Sequence, residues 1–263
     1  MPELTASLPS ALRSASRFVR LGPTEVPALL AHPDWHAGER VPLVLWMHGR
    51  TVTKEIDPGR YLRWIRAGIG ACAVDLPGHG QRFDAALQAP ERTLDVVLAM
   101  ADEIDDVLAA ALEAGPFDPD RVAIGGMSAG GMATLTRLVR PHPFRCCSVE
   151  ATTGSWRHQA GRAMFRDQPE ERVRAHDPIR HLRGWREIPF QAFHSRLDEW
   201  VDVQGQAAFV KELRLHYRRP EWVDFVLYDR TGAPFEHAGF GTMSADAKNR
   251  QRDFLARHLG VAG

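Results

Sequence analysis

Residues 123–132 read AIGGMSAGGM and set one serine, Ser128, among four glycines. Gly126-Met127-Ser128-Ala129-Gly130 has the spacing Gly-x-Ser-x-Gly. A serine hydroxyl is a weak nucleophile at neutral pH. It needs a base, and the base needs an acid to orient it. The chemistry in view is acyl transfer through a covalent serine intermediate. The glycines suit it. On a sharp strand-to-helix turn the residues two before and two after the serine are crowded and must be small. A helix starting at Ala129 would add unpaired N–H groups and the positive end of a dipole. No lysine follows in the phosphate-loop spacing, and Gly-x-Gly-x-x-Gly is absent here, so a nucleotide cradle is not indicated.

In such a sheet the serine is followed in the chain by the acid and then the histidine. For the acid, Asp198 is favoured: it sits in SRLDEWV, just past the apolar run IPFQAFH. Glu199 and Asp202 are neighbours and rivals. Glu150 is a third, 22 residues after the serine. For the base, His237 in GAPFEHAGFG lies on a glycine- and proline-bearing loop after the last apolar run. His216 and His258 fall in helical patterns and read as solvated. His158, His176 and His181 precede Asp198 in the chain. An oxyanion hole needs two N–H donors aimed at the developing charge. The N–H of Ala129 is one candidate, and the N–H of Arg50, in WMHGRT, is the other. His48 in that turn reads as a structural residue.

These residues need elements to position them. VPLVLWMHG (41–49), IGACAVDLPGHG (69–80, running into a glycine-rich loop), DRVAIGG (120–126), FRCCSVEATTG (144–154) and IPFQAFH (188–194) are apolar runs. Such runs read as strands buried on both faces. WVDFVLYD (222–229) is a further strand, and RFVRLG and VPALLAHP form an early hairpin. Helical patterns at 61–68, 91–114, 129–140, 205–216 and 244–260 alternate with the strands, the last carrying an N-cap at Ser244. The alternation predicts an α/β fold with a mainly parallel, doubly wound sheet flanked by helices. Ligand chemistry then belongs at the carboxyl ends of the strands. Residues 155–187 break the pattern. They are rich in arginine, hold no obvious strand, and read as a small helical cap of one or two short helices over the sheet edge. Trp156, Met164, Phe165 and Trp185 would anchor it. Residues 1–16 read as a loose arm or a short helix.

The 263 residues read as a single domain, 1–263, that includes this insertion. Lys+Arg and Asp+Glu are 33 each, so no charge excess argues for nucleic acid or an anionic membrane surface. Cys72, Cys146 and Cys147 all lie in apolar runs and read as buried thiols in a reducing compartment. No secretory leader pattern and no run of about 20 apolar residues is visible, which points to a soluble, cytoplasmic protein. There is no His-Glu-x-x-His and no Cys-x-x-Cys, so neither a metal nor another cofactor is expected.

LWMHGRT, VDLPGHGQR, GGMSAGG, HSRLDEWV and EHAGFG, in this order, resemble the α/β-hydrolase superfamily over residues 17–259. HGRTVTKE followed by DLPGHGQR is similar to the branch of small bacterial esterases related to dienelactone hydrolases and prolyl-oligopeptidase-type enzymes. The resemblance implies Ser128 as nucleophile, His237 as base, Asp198 as acid, and an oxyanion hole from the N–H groups of Ala129 and Arg50. Two departures matter. The branch commonly has an apolar or aromatic residue where Arg50 stands, so its side chain either faces a carboxylate-bearing substrate or turns outward. Dienelactone hydrolases proper use a cysteine nucleophile. The expected function is hydrolysis of a small or medium carboxylic ester, with amide or thioester cleavage as alternatives, and a non-catalytic ligand binder as a third. The expected partner is a small-molecule ester, and the monomer and the homodimer stay open.

Overall fold

The computed structural model describes residues 8–261. The chain opens with a short helix α1 (Ser10–Ser14) and an antiparallel hairpin, β1 (Ser16–Leu21) and β2 (Val26–Ala31). Then follow β3 (Val41–Met47), α2 (Pro58–Arg66), β4 (Gly70–Val74), α3 (Thr93–Ala114), β5 (Phe117–Met127), α4 (Ala129–Leu138) and β6 (Cys146–Glu150). Beyond β6 lie two short helices, α5 (Ala163–Arg166) and α6 (Glu170–His176), with 3-10 turns around them. The chain closes with β7 (Phe190–Ser195), α7 (Val203–His216), β8 (Val223–Tyr228) and α8 (Ser244–Leu259). Part of the expected arm, residues 1–7, falls outside the described residues.

One eight-stranded sheet runs in the order β1-β2-β4-β3-β5-β6-β7-β8. β2 is antiparallel to β4, and every pair from β4 through β8 is parallel. This is the mainly parallel sheet that the alternation predicted, in the α/β-hydrolase arrangement that the resemblance implied. Burial explains the composition: β2, β4, β6 and β7 are buried at every position, because helices cover both faces. The three cysteines are free and buried in β4 and β6.

The chain steps from β3 outward to β4, then returns to lay β5 on the other side of β3. A crevice at such a reversal is where doubly wound sheets bind ligands. The register pairs Met47 with Gly126. The turn after β3 and the turn after β5 are therefore neighbours, with Gly49 beside Ser128.

Two expectations are corrected. The segment 155–187 does not lie over a sheet edge, since the edges are β1 and β8 and the segment leaves the interior strand β6. Instead it bridges the start of α3 and the loop after β7. Gln168 donates to the carbonyl of Glu91 at 2.6 Å, and Gln159 exchanges two hydrogen bonds with the backbone of Asp202. Trp156, Phe165 and Trp185 sit in the main core, with Met164 packed against it. Ser244 is also not an N-cap. A 3-10 turn over Gly241–Met243 runs straight into α8, so Met243 takes the cap position and no side chain caps the helix.

Close approach at the β5–α4 turn is backbone against backbone. A Cβ at Gly126 would stand 2.5 Å from the carbonyl carbon of Gly130, and one at Gly130 would stand 2.4 Å from the carbonyl oxygen of Met47. Backbone cannot move aside as a flexible side chain can. Gly130→Ala should therefore destabilise the fold by about 1–3 kcal/mol or more in urea unfolding. Gly161→Ala, where nothing stands within 4 Å, should stay within about 0.5 kcal/mol of the parent.

Candidate active site

Ser128 has φ 52° and ψ −118°, a left-handed backbone at the junction of β5 and α4. Two hydrogen bonds hold it: its N–H donates to the carbonyl of Glu150 at 2.9 Å, and its carbonyl accepts from Thr152 Oγ1 at 2.8 Å. The first intrahelical bond of α4 runs from Met132 N–H to Ser128 O. The N–H groups before it, Ala129 among them, have no helical carbonyl to bond, and the dipole's positive end faces the same way. All seven described non-glycine residues with positive φ follow the carboxyl end of a strand: Glu25, Thr51, Ser128, Ala151, Phe235, Glu236 and Phe240. Such backbone costs energy and persists where the surroundings enforce it. It gathers at the end of the sheet where Ser128 stands.

Asp198 and His237 meet across two loops. His237 Nδ1 lies 2.8 Å from Asp198 Oδ2, and both residues are buried. An ionised carboxylate only accepts, so Nδ1 carries the proton and Nε2 keeps its lone pair as a base. Burial pushes the Asp198 carboxyl up, but hydrogen bonds from His194 and His237 overcome it and hold the group at about 2. Backbone N–H groups of Trp200 and Val201 also donate to Oδ1, at 2.9 and 2.8 Å. No direct hydrogen bond joins Ser128 Oγ to His237 among the described residues. Such bonds often tighten only in the reacting complex.

The rival acids are occupied. Glu150 is held bidentately by Arg60 at 2.6 and 2.7 Å, with Arg60 also bonded to Asp57 and Gln251. Asp202 caps α7 through Gln204 N–H at 2.9 Å. Glu199 is exposed. Of the other histidines, His158 pairs with Ser155, and His216 is exposed on α7.

The turn after β3 is fixed from beneath. Lys54 donates to Asp75 through its backbone N–H at 3.0 Å and through Nζ at 2.8 Å. Gln81 N–H adds a third bond at 3.0 Å. Burial opposes ionisation of Asp75, yet these donors hold it well below the carboxylate range. His48 is structural, as expected. Its Nε2 accepts the N–H of Leu76 at 3.0 Å and stands 3.7 Å from Asp75, beyond a hydrogen bond. The Arg50 side chain is engaged elsewhere: it donates to Thr93 Oγ1 at 3.1 Å and to the carbonyls of Leu87 and Gln88. The half-buried side chain is thus tied to the segment that leads into α3. Its backbone N–H stays in the turn beside Ser128.

Three supports escaped the sequence reading. His194 faces Asp198. Arg60 holds Glu150, whose carbonyl accepts the N–H of Ser128. Glu236, next to His237, accepts from Ser195 Oγ, Thr231 N–H and Oγ1, and Gly232 N–H, all at 2.7–2.9 Å. The only signal was the presence of charged or imidazole groups beside apolar strand ends.

The profile of the prolyl oligopeptidase family matches residues 65–262, which include Ser128, Asp198 and His237. The chain belongs to the prolyl oligopeptidase family. It is 27% identical over 142 residues to the esterase YjfP of Escherichia coli strain K12, a match covering 54% of this chain and 57% of that one. The chain thus spans little more than half of that curated relative. In fold it is similar to a Mycobacterium tuberculosis puromycin-hydrolyzing peptidase, with TM-score 0.76, 21% identity, 98% of this chain covered and 42% of the other. It is also similar to TT1662 of Thermus thermophilus, with TM-score 0.70, 19% identity, 94% of this chain and 99% of the other. No helix among the described residues is long and apolar enough to cross a membrane.

Glu236 gives a pH prediction. Desolvation pushes its carboxyl up, but the bonds from Ser195, Thr231 and Gly232 hold it at about 2. A lowered folded-state value adds stability above the unfolded-state value and loses it as pH falls through the folded one. Glu236→Gln should therefore cost about 1 kcal/mol or somewhat more near pH 7, the group being partly exposed. The gap should close between about pH 5 and pH 2 in urea titrations.

Proposed function

We propose that this protein is a serine hydrolase of carboxylic esters. The hydrogen bond of 2.8 Å between His237 and Asp198, at the sheet end where Ser128 stands on its left-handed turn, carries this reading. Ser128 Oγ adds to the ester carbonyl carbon as its proton passes to His237 Nε2. The N–H groups of Ala129 and Arg50 receive the developing oxyanion. The C–O bond breaks as His237 gives that proton to the leaving alcohol. Water then attacks the acyl-enzyme by the same route, releasing the acid and restoring the serine. Asp198 stays ionised throughout and holds the imidazole.

The walls suggest an apolar substrate. Trp200 is 41% exposed and Phe235 52% exposed, and their rings stack at 4.9 Å. Trp200 also packs against His237, ring centroids 5.0 Å apart. His237 is the group that protonates the alcohol, so an aromatic pair at its side borders the leaving group. The Arg50 guanidinium is committed to Thr93 and to the carbonyls of Leu87 and Gln88, which counts against its gripping a carboxylate-bearing substrate. Residues 155–187 form the cap of this reading and limit substrate size. The partner is a small-molecule ester, and the compartment proposed is the cytoplasm.

A second reading, amide or peptide cleavage, draws on the family and on the puromycin-hydrolyzing peptidase. The comparison of p-nitrophenyl esters with matched p-nitroanilides separates the two, and faster turnover of the ester is expected. Ser128→Ala should lower kcat on p-nitrophenyl butyrate by about 10⁴-fold or more. Undiminished hydrolysis would end the proposal. For a fixed acyl group, Phe235→Ala should reduce the preference for a benzyl over an ethyl ester by about 10-fold in kcat/KM. An unchanged ratio would remove the aromatic wall from substrate recognition.

A further inference from the structure

β7 alternates faces. Phe190 and Ala192 point into the main core with Val201 and the side chains of α7, while Phe193 points to the opposite cluster with Tyr228 and Phe240. Period-two alternation puts His194 on the Phe190 and Ala192 face, where the pattern asks for an apolar side chain. The imidazole is fully buried there. Its Nε2 stands 3.0 Å from the carbonyl of Val201 and 3.2 Å from Asp198 Oδ2, and its Nδ1 has no partner. Both neighbours of Nε2 are acceptors, so Nε2 carries a proton shared between them and Nδ1 keeps a bare lone pair.

A buried acceptor left unmade is unfavourable. A leucine of similar size would avoid that. The gain must lie at the other nitrogen, and what stands there is the carboxylate that orients His237.

We propose that His194 is a positioning residue for the triad, acting through Asp198. This rests on the triad reading above. Three hydrogen bonds and one close imidazole then surround one carboxylate: Trp200 and Val201 N–H on Oδ1, His237 on Oδ2, and His194 Nε2, whose proton is shared with the Val201 carbonyl, 3.2 Å from Oδ2. With its lone-pair directions filled, Asp198 cannot rotate and stays an acceptor. His194 also joins the strand end to the Val201 backbone, so the loop carrying Asp198 is fixed at both sides. Without His194, Asp198 Oδ2 has only His237 as a side-chain donor and draws that proton more strongly.

The test uses three variants of the full chain. His194→Leu completes the apolar row but removes the donor. His194→Gln sets an amide N–H near the position of Nε2, and His194→Asn sets one near Nδ1. The leucine variant should lower kcat on p-nitrophenyl butyrate by about 10-fold or more with KM little changed. The glutamine variant should recover most of the loss, and the asparagine variant should not. The second readout needs no turnover: the far-downfield proton resonance of the Asp198–His237 hydrogen bond should move in the leucine variant and return in the glutamine one. An unmoved resonance together with parental kcat in His194→Leu overturns the proposal. If the leucine variant does not fold, equal behaviour of the glutamine and asparagine variants overturns it. If the parent chain hydrolyses no ester, the function reading fails, and the resonance alone decides the role of His194.

Discussion

The left-handed backbone at Ser128 is the constraint on which the carboxyl end of this sheet depends. Such a conformation costs a non-glycine residue about 1–3 kcal/mol and holds only when its surroundings enforce it. Here the surroundings are tight. Gly126 and Gly130 allow β5 and α4 to meet at backbone contact. Glu150 and Thr152, at the end of β6, fasten the serine's own N–H and carbonyl. Arg60 grips the Glu150 side chain from behind with two hydrogen bonds and lies over the Trp46 ring at 4.3 Å. The serine's backbone is thus fixed through its own N–H and carbonyl.

Charge does the rest of the positioning. Three carboxylates at this end, Asp75, Asp198 and Glu236, each gather several N–H or O–H donors. Each fastens a different loop: the turn after β3, the loop after β7 and the loop after β8. A carboxylate with four acceptor directions is a compact way to pin irregular backbone, since one charged group satisfies N–H donors that no strand or helix pairs. The carbonyl of Phe235 accepts from Glu199 N–H at 3.0 Å, which joins the last two loops directly. These ties let Trp200 and Phe235 stay exposed beside His237.

Much of this was legible in the chain. Apolar runs ended by glycine marked the buried strands, and helical periodicity marked α2, α3, α4, α7 and α8 within a few residues. The Gly-x-Ser-x-Gly pattern located the turn, and chain order with strand-end placement picked out Asp198 and His237, which the fold brings to hydrogen-bond distance. The rest depended on contacts between distant segments. Nothing near Glu150 announces Arg60, 90 residues earlier. Glu236 reads as a surface residue until Ser195 and Thr231 are brought to it. The insertion was misplaced because local composition shows that its tryptophans are buried but not against what. Ser244 looked like a cap because serine is a good one, and the 3-10 turn before it was invisible.

The most direct test of the account is mass-spectrometric mapping of a fluorophosphonate adduct on the intact protein. The account predicts one adduct per chain, on Ser128, formed at a rate that collapses in His237→Ala. No adduct on Ser128, or labelling at an unchanged rate without His237, would contradict it.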